Sequence, residues 1–175
     1  MNLTKKLFSY IVAIAMIFTL TAFAGGAVNA ANAKTYALTL QNNGKTTHTF
    51  EVYQIFTGDL SEGILSNVHW GNGVSEEGKT ALGDAAKKAE DLAKSKDNSL
   101  PVKTFAEDLQ KYLQNGTEKE VAANQTASIE GLAAGYYLVK DKASSQNQTN
   151  GAYTSYILKV VKDITATTKL DVPTV

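Results

Sequence analysis

The chain has 175 residues, 43 % hydrophobic and 19 % charged, with one Trp, six Phe and eight Tyr. That is enough large apolar side chain for a packed core, and it excludes a disordered tail. All seventeen basic residues are Lys, balanced by seventeen acids, which argues against a nucleic-acid partner, since that role favours a basic face and bidentate Arg contacts. Cys is absent and Pro occurs twice, which excludes disulfides, thiolate metal sites, thiol catalysis, a lipoprotein anchor and a Pro-rich stalk.

Residues 1–30 read as a secretory signal peptide. Lys5 and Lys6 form a positive start, and residues 7–24 are apolar except for Ser9, Tyr10, Thr19 and Thr21. Val28-Asn29-Ala30 then offers small side chains to a signal peptidase, which predicts a cut after Ala30. Ala31-Asn32-Ala33 offers a second cut, before Lys34. An uncleaved membrane anchor is the rival, because the apolar run is nearly long enough to span. The small-residue pattern directly after the run favours cleavage, so membrane contact is expected only before that cut. With Lys5 and Lys6 gone, fifteen Lys face seventeen acids, a net charge of −2.

Residues 35–40 alternate, with Tyr36, Leu38 and Leu40 on one face, which predicts a half-buried strand. Asn42-Asn43-Gly44 predicts a hairpin turn into a second strand at 47–56, interrupted at Gly58-Asp59. Residues 64–70 form a short segment leading into Gly71-Asn72-Gly73. The period then changes. Ser75 is the expected N-cap of a helix with Glu76 and Glu77 in its first turn and Leu82, Ala85, Ala89 and Leu92 on its buried face. Asp97-Asn98-Ser99 ends it. A second helix is expected to open on a capping box of Thr104 and Glu107, to bury Phe105, Leu109, Tyr112 and Leu113, and to close at Asn115-Gly116. Strand patterns return at 126–132, 135–140 and 152–161, with a hairpin loop at 144–151 and a weaker last strand at 164–169. The expected fold is mainly β: an immunoglobulin-like antiparallel β-sandwich with an inserted two-helix segment at about 75–114.

Motifs for catalysis are not apparent. His48 and His69 stand alone in strand-like contexts, so surface or strand positions are expected rather than a metal site, which needs three or four converging ligands. Trp70-Gly71-Asn72-Gly73 lacks the Lys and spacing of a phosphate loop and reads as a turn. No G-x-S-x-G is present. Asp84, Glu90 and Asp91 interleave with Lys87, Lys88 and Lys94, the pattern of a solvated helix face rather than a calcium site. The Asn-x-Thr sequons at Asn115, Asn124 and Asn147 carry little weight, since Asn and Thr are common in the loops of this chain. No cofactor, metal or enzymatic activity is expected. What remains is Lys, an amine that becomes a nucleophile when a partner enzyme deprotonates it.

Three stretches carry a resemblance. They are Phe50-Glu51-Val52-Tyr53-Gln54-Ile55-Phe56-Thr57-Gly58-Asp59-Leu60, Leu65-Ser66-Asn67-Val68-His69-Trp70-Gly71-Asn72-Gly73-Val74 and Gly131-Leu132-Ala133-Ala134-Gly135-Tyr136-Tyr137-Leu138-Val139-Lys140-Asp141. With Tyr156-Ile157-Leu158-Lys159-Val160-Val161, they resemble the N-terminal domain of sortase-assembled, isopeptide-forming pilin subunits of Gram-positive bacteria. The third stretch also resembles the wider collagen-adhesin B-type repeats. The resemblance implies a subunit that a sortase links through a Lys to the C-terminal Thr of its neighbour. That Lys usually closes a Tyr-Pro-Lys segment; the matching position is Lys169, preceded here by Thr167-Thr168, and Lys162 is the runner-up. The departure leaves room for an ancillary subunit. The family also forms internal Lys–Asn or Lys–Asp isopeptide bonds assisted by a buried acid, and Glu130 sits where such an acid could be, although an exposed strand Glu is the simpler reading.

The expected organisation is a signal peptide at 1–30, an N-terminal pilin domain at 31–168 and a connector at 169–175 leading into a domain beyond the sequence. The expected function is structural, at the cell wall, with a pilin-specific sortase and neighbouring subunits as partners. The alternative is an adhesin domain that binds a host surface ligand.

Overall fold

A computed structural model describes residues 34–96, 99–142, 145 and 155–167. The protein is mainly β, with antiparallel sheets packed as an immunoglobulin-like sandwich and a helical segment inserted into it. In chain order the elements are β1 (Tyr36–Gln41), β2 (His48–Ser61), β3 (Ile64–Trp70), α1 (Glu76–Leu82), α2 (Ala85–Ala93), α3 (Leu100–Leu109), β4 (Thr117–Val121), β5 (Thr126–Leu132), β6 (Gly135–Asp141), β7 (Ser155–Val160) and β8 (Ile164–Thr167).

Among the described residues the strands form two sheets. The smaller runs β5-β1-β8, with β5 antiparallel and β8 parallel to β1. The larger runs β3-β2-β6-β7, with β4 also on β2. The long β2 serves two partners along one edge: residues 48–52 pair with β4, and residues 56–61 pair with β3. Its other edge pairs with β6 from Phe50 to Thr57. A register shift between Thr57 and Asp59 lets β2 continue through the Gly58-Asp59 position where an interruption was expected. The β2–β3 hairpin closes on Glu62 (φ 49°) and Gly63 (φ 78°), the two left-handed residues of a tight turn that suits strand twist.

The larger sheet is covered on both faces. Toward the smaller sheet it buries Phe50, Val52, Tyr137 and Val139 against Leu38, Leu40 and Ile129. Toward the helices it buries Ile55, Phe56, Tyr136, Leu138 and Ile157 against Ala89, Leu92, Val102, Phe105 and Leu109. Hence β6 has no solvent face: Tyr136 through Val139 are all buried. Ala85 and Ala89 let α2 lie close to the sheet. Phe56, Trp70 and Phe105 form a mutually stacked trio (Phe56 to Trp70 4.9 Å, Phe56 to Phe105 6.0 Å, Trp70 to Phe105 6.4 Å), and the Trp70 indole N–H donates to the Gly83 carbonyl at 2.8 Å, locking the helical layer on.

Several local expectations change. The Asn42 turn is not a hairpin: β1 and β2 lie in different sheets. The side chain of Asn42, fully buried, donates to the carbonyls of Thr46 (2.8 Å), Val121 (3.0 Å) and Ala122 (3.2 Å), and its oxygen accepts from Gly44 N–H. It caps the end of β4 rather than turning β1 onto β2. The first helix is two. Gly83 adopts φ 84°, ψ −153°, a region closed to residues with a Cβ, and Asp84 starts α2 by accepting from Lys87 N–H at 2.7 Å. The later helix starts four residues before Thr104, because Pro101 suits the first turn, where its missing N–H costs nothing. It ends in a 3-10 turn at residues 110–112, and Asn115 (φ 50°) serves the turn into β4 instead of a helix cap. The strand β4, which was not anticipated, reads TEKEV and has a single buried residue, Val121.

Candidate functional site

The two poles of the sandwich follow from one pairing. Because β1 and β8 are parallel, Leu38 lies beside Ile164 and Gln41 beside Thr167. The chain therefore runs from an entry pole at Tyr36 to an exit pole at Thr167. Lys162 is exposed at the entry pole, in the turn before β8. Its neighbour Asp163 accepts from the Ala37 N–H at 2.9 Å and ties that turn to β1. Lys169, Ala30 and Ala31 lie outside the described residues. Glu130 is exposed on β5 and lacks the apolar surroundings that an isopeptide-assisting acid needs.

At the exit pole the structure assembles a polar cluster that sequence reasoning missed. His48, 2 % exposed, and Asp141, fully buried, pair across β2 and β6, with Nδ1 to Oδ1 at 2.7 Å. The other ring nitrogen, Nε2, is 3.0 Å from the Thr46 hydroxyl. Phe50 stacks on the imidazole at 5.8 Å. His48 thus occupies a strand, as expected, but is internal rather than superficial, whereas His69 is exposed on β3. The signal was available as parity. His48 shares a face with Phe50 and Val52, and Asp141 with Tyr137 and Val139, all four buried toward the smaller sheet. Tyr156 stands on the same side; burial, and next the nearby Asp141, push its phenol far up, and its hydroxyl has no partner among the described residues.

Several of the described lysines form ion pairs. Lys87–Asp91 (3.5 Å) and Lys94–Glu90 (2.5 Å) are the i,i+4 pairs expected of a solvated helix face. Lys140 lies 3.4 Å from Glu51 across β6 and β2, and Lys142 holds Glu118 at 2.5 Å. Lys159 differs: partial burial on β7 lowers its amine from the ordinary value. A shallow groove of about 210 Å³ lies between Gln54, Asn72, Asn115, Thr117 and Tyr137, below the ~300–1,000 Å³ of ordinary small-molecule sites. Among the described residues no three His, Asp or Glu gather as metal ligands, and no helix is long and apolar enough to cross a membrane.

No family model matches the chain, and no curated protein matches it. Among solved structures it is similar to the minor pilin GBS52 of the Gram-positive pathogen Streptococcus agalactiae. The identity is 17 %, the TM-score 0.33, and the likeness covers 80 % of this chain and 46 % of that one. The chain thus spans less than half the length of that pilin, and the fold assignment rests on the strand pairings themselves.

Proposed function

We propose that the chain carries the signal peptide (1–30) and N-terminal domain (31–168) of a structural subunit of a covalently assembled, cell-surface pilus. A connector at 169–175 leads on to a further domain. The subunit stacks end to end with its neighbours and presents Lys169 to a pilin-specific sortase, which joins it to the C-terminal Thr of the next subunit. The observation that carries the reading is the parallel β1–β8 pair, which brings the chain in at one pole and out at the other. Serial stacking needs that geometry, since axial load then runs through the domain along its strands. In sequence Lys169 follows the end of β8 by two residues, whereas Lys162 lies at the entry pole.

The test is the polymer ladder from the producing cell wall, with mass spectrometry of the linked peptides. Lys169→Ala is expected to collapse the ladder and Lys162→Ala to leave it. A full ladder in Lys169→Ala overturns the assignment of the lysine. A parent protein that never enters a ladder overturns the reading as a shaft subunit. For the leader, the N-terminus of the exported protein is expected at Ala31, and a start at Lys34 moves the cut to the second small-residue pattern.

A further inference from the structure

The cluster at the exit pole has the connectivity of an activated hydroxyl. Asp141 as a carboxylate only accepts, so the 2.7 Å contact requires the proton to sit on Nδ1 of His48. In the neutral imidazole Nε2 is then a lone-pair acceptor, and the Thr46 hydroxyl 3.0 Å away must donate to it. Nucleophile, base and orienting acid thus stand in sequence, each within hydrogen-bond reach of the next. The parts differ in burial in the way such chemistry needs. Asp141 and His48 are inside, while Thr46 is half-buried in the loop between β1 and β2. That loop is anchored: buried Asn42 donates to the Thr46 carbonyl and also to the end of β4, which ties the Thr46 backbone to the sheet. Thr46 lies in a bend just before β2, and that bend brings its hydroxyl to 3.0 Å from the ring of His48 at the start of the strand.

We propose that Thr46 is an acyl-acceptor site: its hydroxyl takes an acyl group from an ester or thioester, with His48 as general base and Asp141 as the residue that positions His48. In the step, the bond from Thr46 Oγ to the acyl carbon forms and the bond from that carbon to the donor's oxygen or sulfur breaks. The hydroxyl proton passes to His48 Nε2 and from there to the leaving alcohol or thiol. No oxidant or metal is required, and the product is a protein-bound ester.

The test exposes the full chain to p-nitrophenyl acetate and follows acetylation by peptide mass spectrometry. Alkaline hydroxylamine then removes alkyl esters and leaves acetylated lysines untouched. Thr47, next in sequence and exposed, is the internal reference. A positioned base contributes about 10²–10⁴-fold, so Thr46 is expected to acquire a hydroxylamine-labile acetyl at least about 100-fold faster than Thr47. Equal labelling of the two threonines in the parent protein overturns the proposal without any variant. Thr46→Ser is expected to keep the labelling at that position, and His48→Gln to reduce it to the Thr47 rate. For Asp141 the readout is the imidazole ¹⁵N spectrum, which is tractable with two His in the chain. Nδ1 protonation of His48 is expected in the parent and its loss in Asp141→Asn. A parent spectrum showing Nε2–H instead overturns the arrangement.

Discussion

Gly71 and Gly73 show how single positions decide the close approach of segments. Their amides donate to the carbonyls of Ile55 (2.7 Å) and Gln54 (2.9 Å), drawing the loop after β3 onto β2. A Cβ at either position would run into the Gln54 carbonyl oxygen. Gly71→Ala and Gly73→Ala are each expected to cost about 2 kcal/mol, read as a lower urea midpoint with an unchanged slope. Asn42 is the other residue of this kind. Asn42→Ala leaves the Val121 and Ala122 carbonyls without their buried donor, at a cost of about 1–3 kcal/mol. Because Asn42 also holds the Thr46 loop, the same variant is expected to slow acyl labelling of Thr46. Unchanged stability in that variant would show that water replaces the amide.

At the scale of elements, the helical layer depends on one aromatic stack. Phe105 on α3 lies against both Phe56 and Trp70. Phe105→Ala is expected to cost about 3–5 kcal/mol. It should also red-shift the fluorescence of the only Trp, since Trp70 loses a stacked ring and gains water. A loss of stability with no spectral shift would mean that the sheet alone holds the indole. The elements also show where legibility stops. The strands β1, β5, β6 and β7 were readable because their apolar residues alternate or run together between turn signals. The strand β4 was not, since TEKEV buries a single side chain and has the composition of a solvated segment. The break between α1 and α2 hid inside a continuous amphipathic pattern. Leu82, Ala85 and Ala89 keep helical spacing across Gly83, and only the backbone at Gly83 shows that the axis turns.

For the whole molecule, the three layers place tyrosines on both faces of β6. Burial raises the Tyr136 and Tyr137 phenols from 10.0 to about 12 each. Phenols raised on folding contribute stability that is fully present below pH 10 and fades as pH rises through about 12. One alkaline titration followed by tyrosinate absorbance and far-ultraviolet circular dichroism is therefore expected to show delayed ionisation coinciding with loss of sheet. Ionisation of all the tyrosines near pH 10 with the sheet intact would contradict the burial of both rings. The same layering gives the molecule its polarity: the parallel pairing of β1 and β8 sends the chain from one pole to the other, and load between the poles acts on their hydrogen bonds in shear.

Composition and periodicity by themselves determined that this chain is mainly β, that helices interrupt the strands between about 75 and 114, and which side chains line the strands. These are local properties, set by side-chain alternation and by turn residues next to one another in sequence. Only the tertiary structure decided that the Asn42 loop joins two sheets, that β8 runs parallel to β1, and that Thr46, His48 and Asp141 meet. Each depends on contacts between segments far apart in sequence, 93 residues in the case of His48 and Asp141. A buried polar pair has no signature in either partner's own neighbourhood until the sheet brings the two strands together.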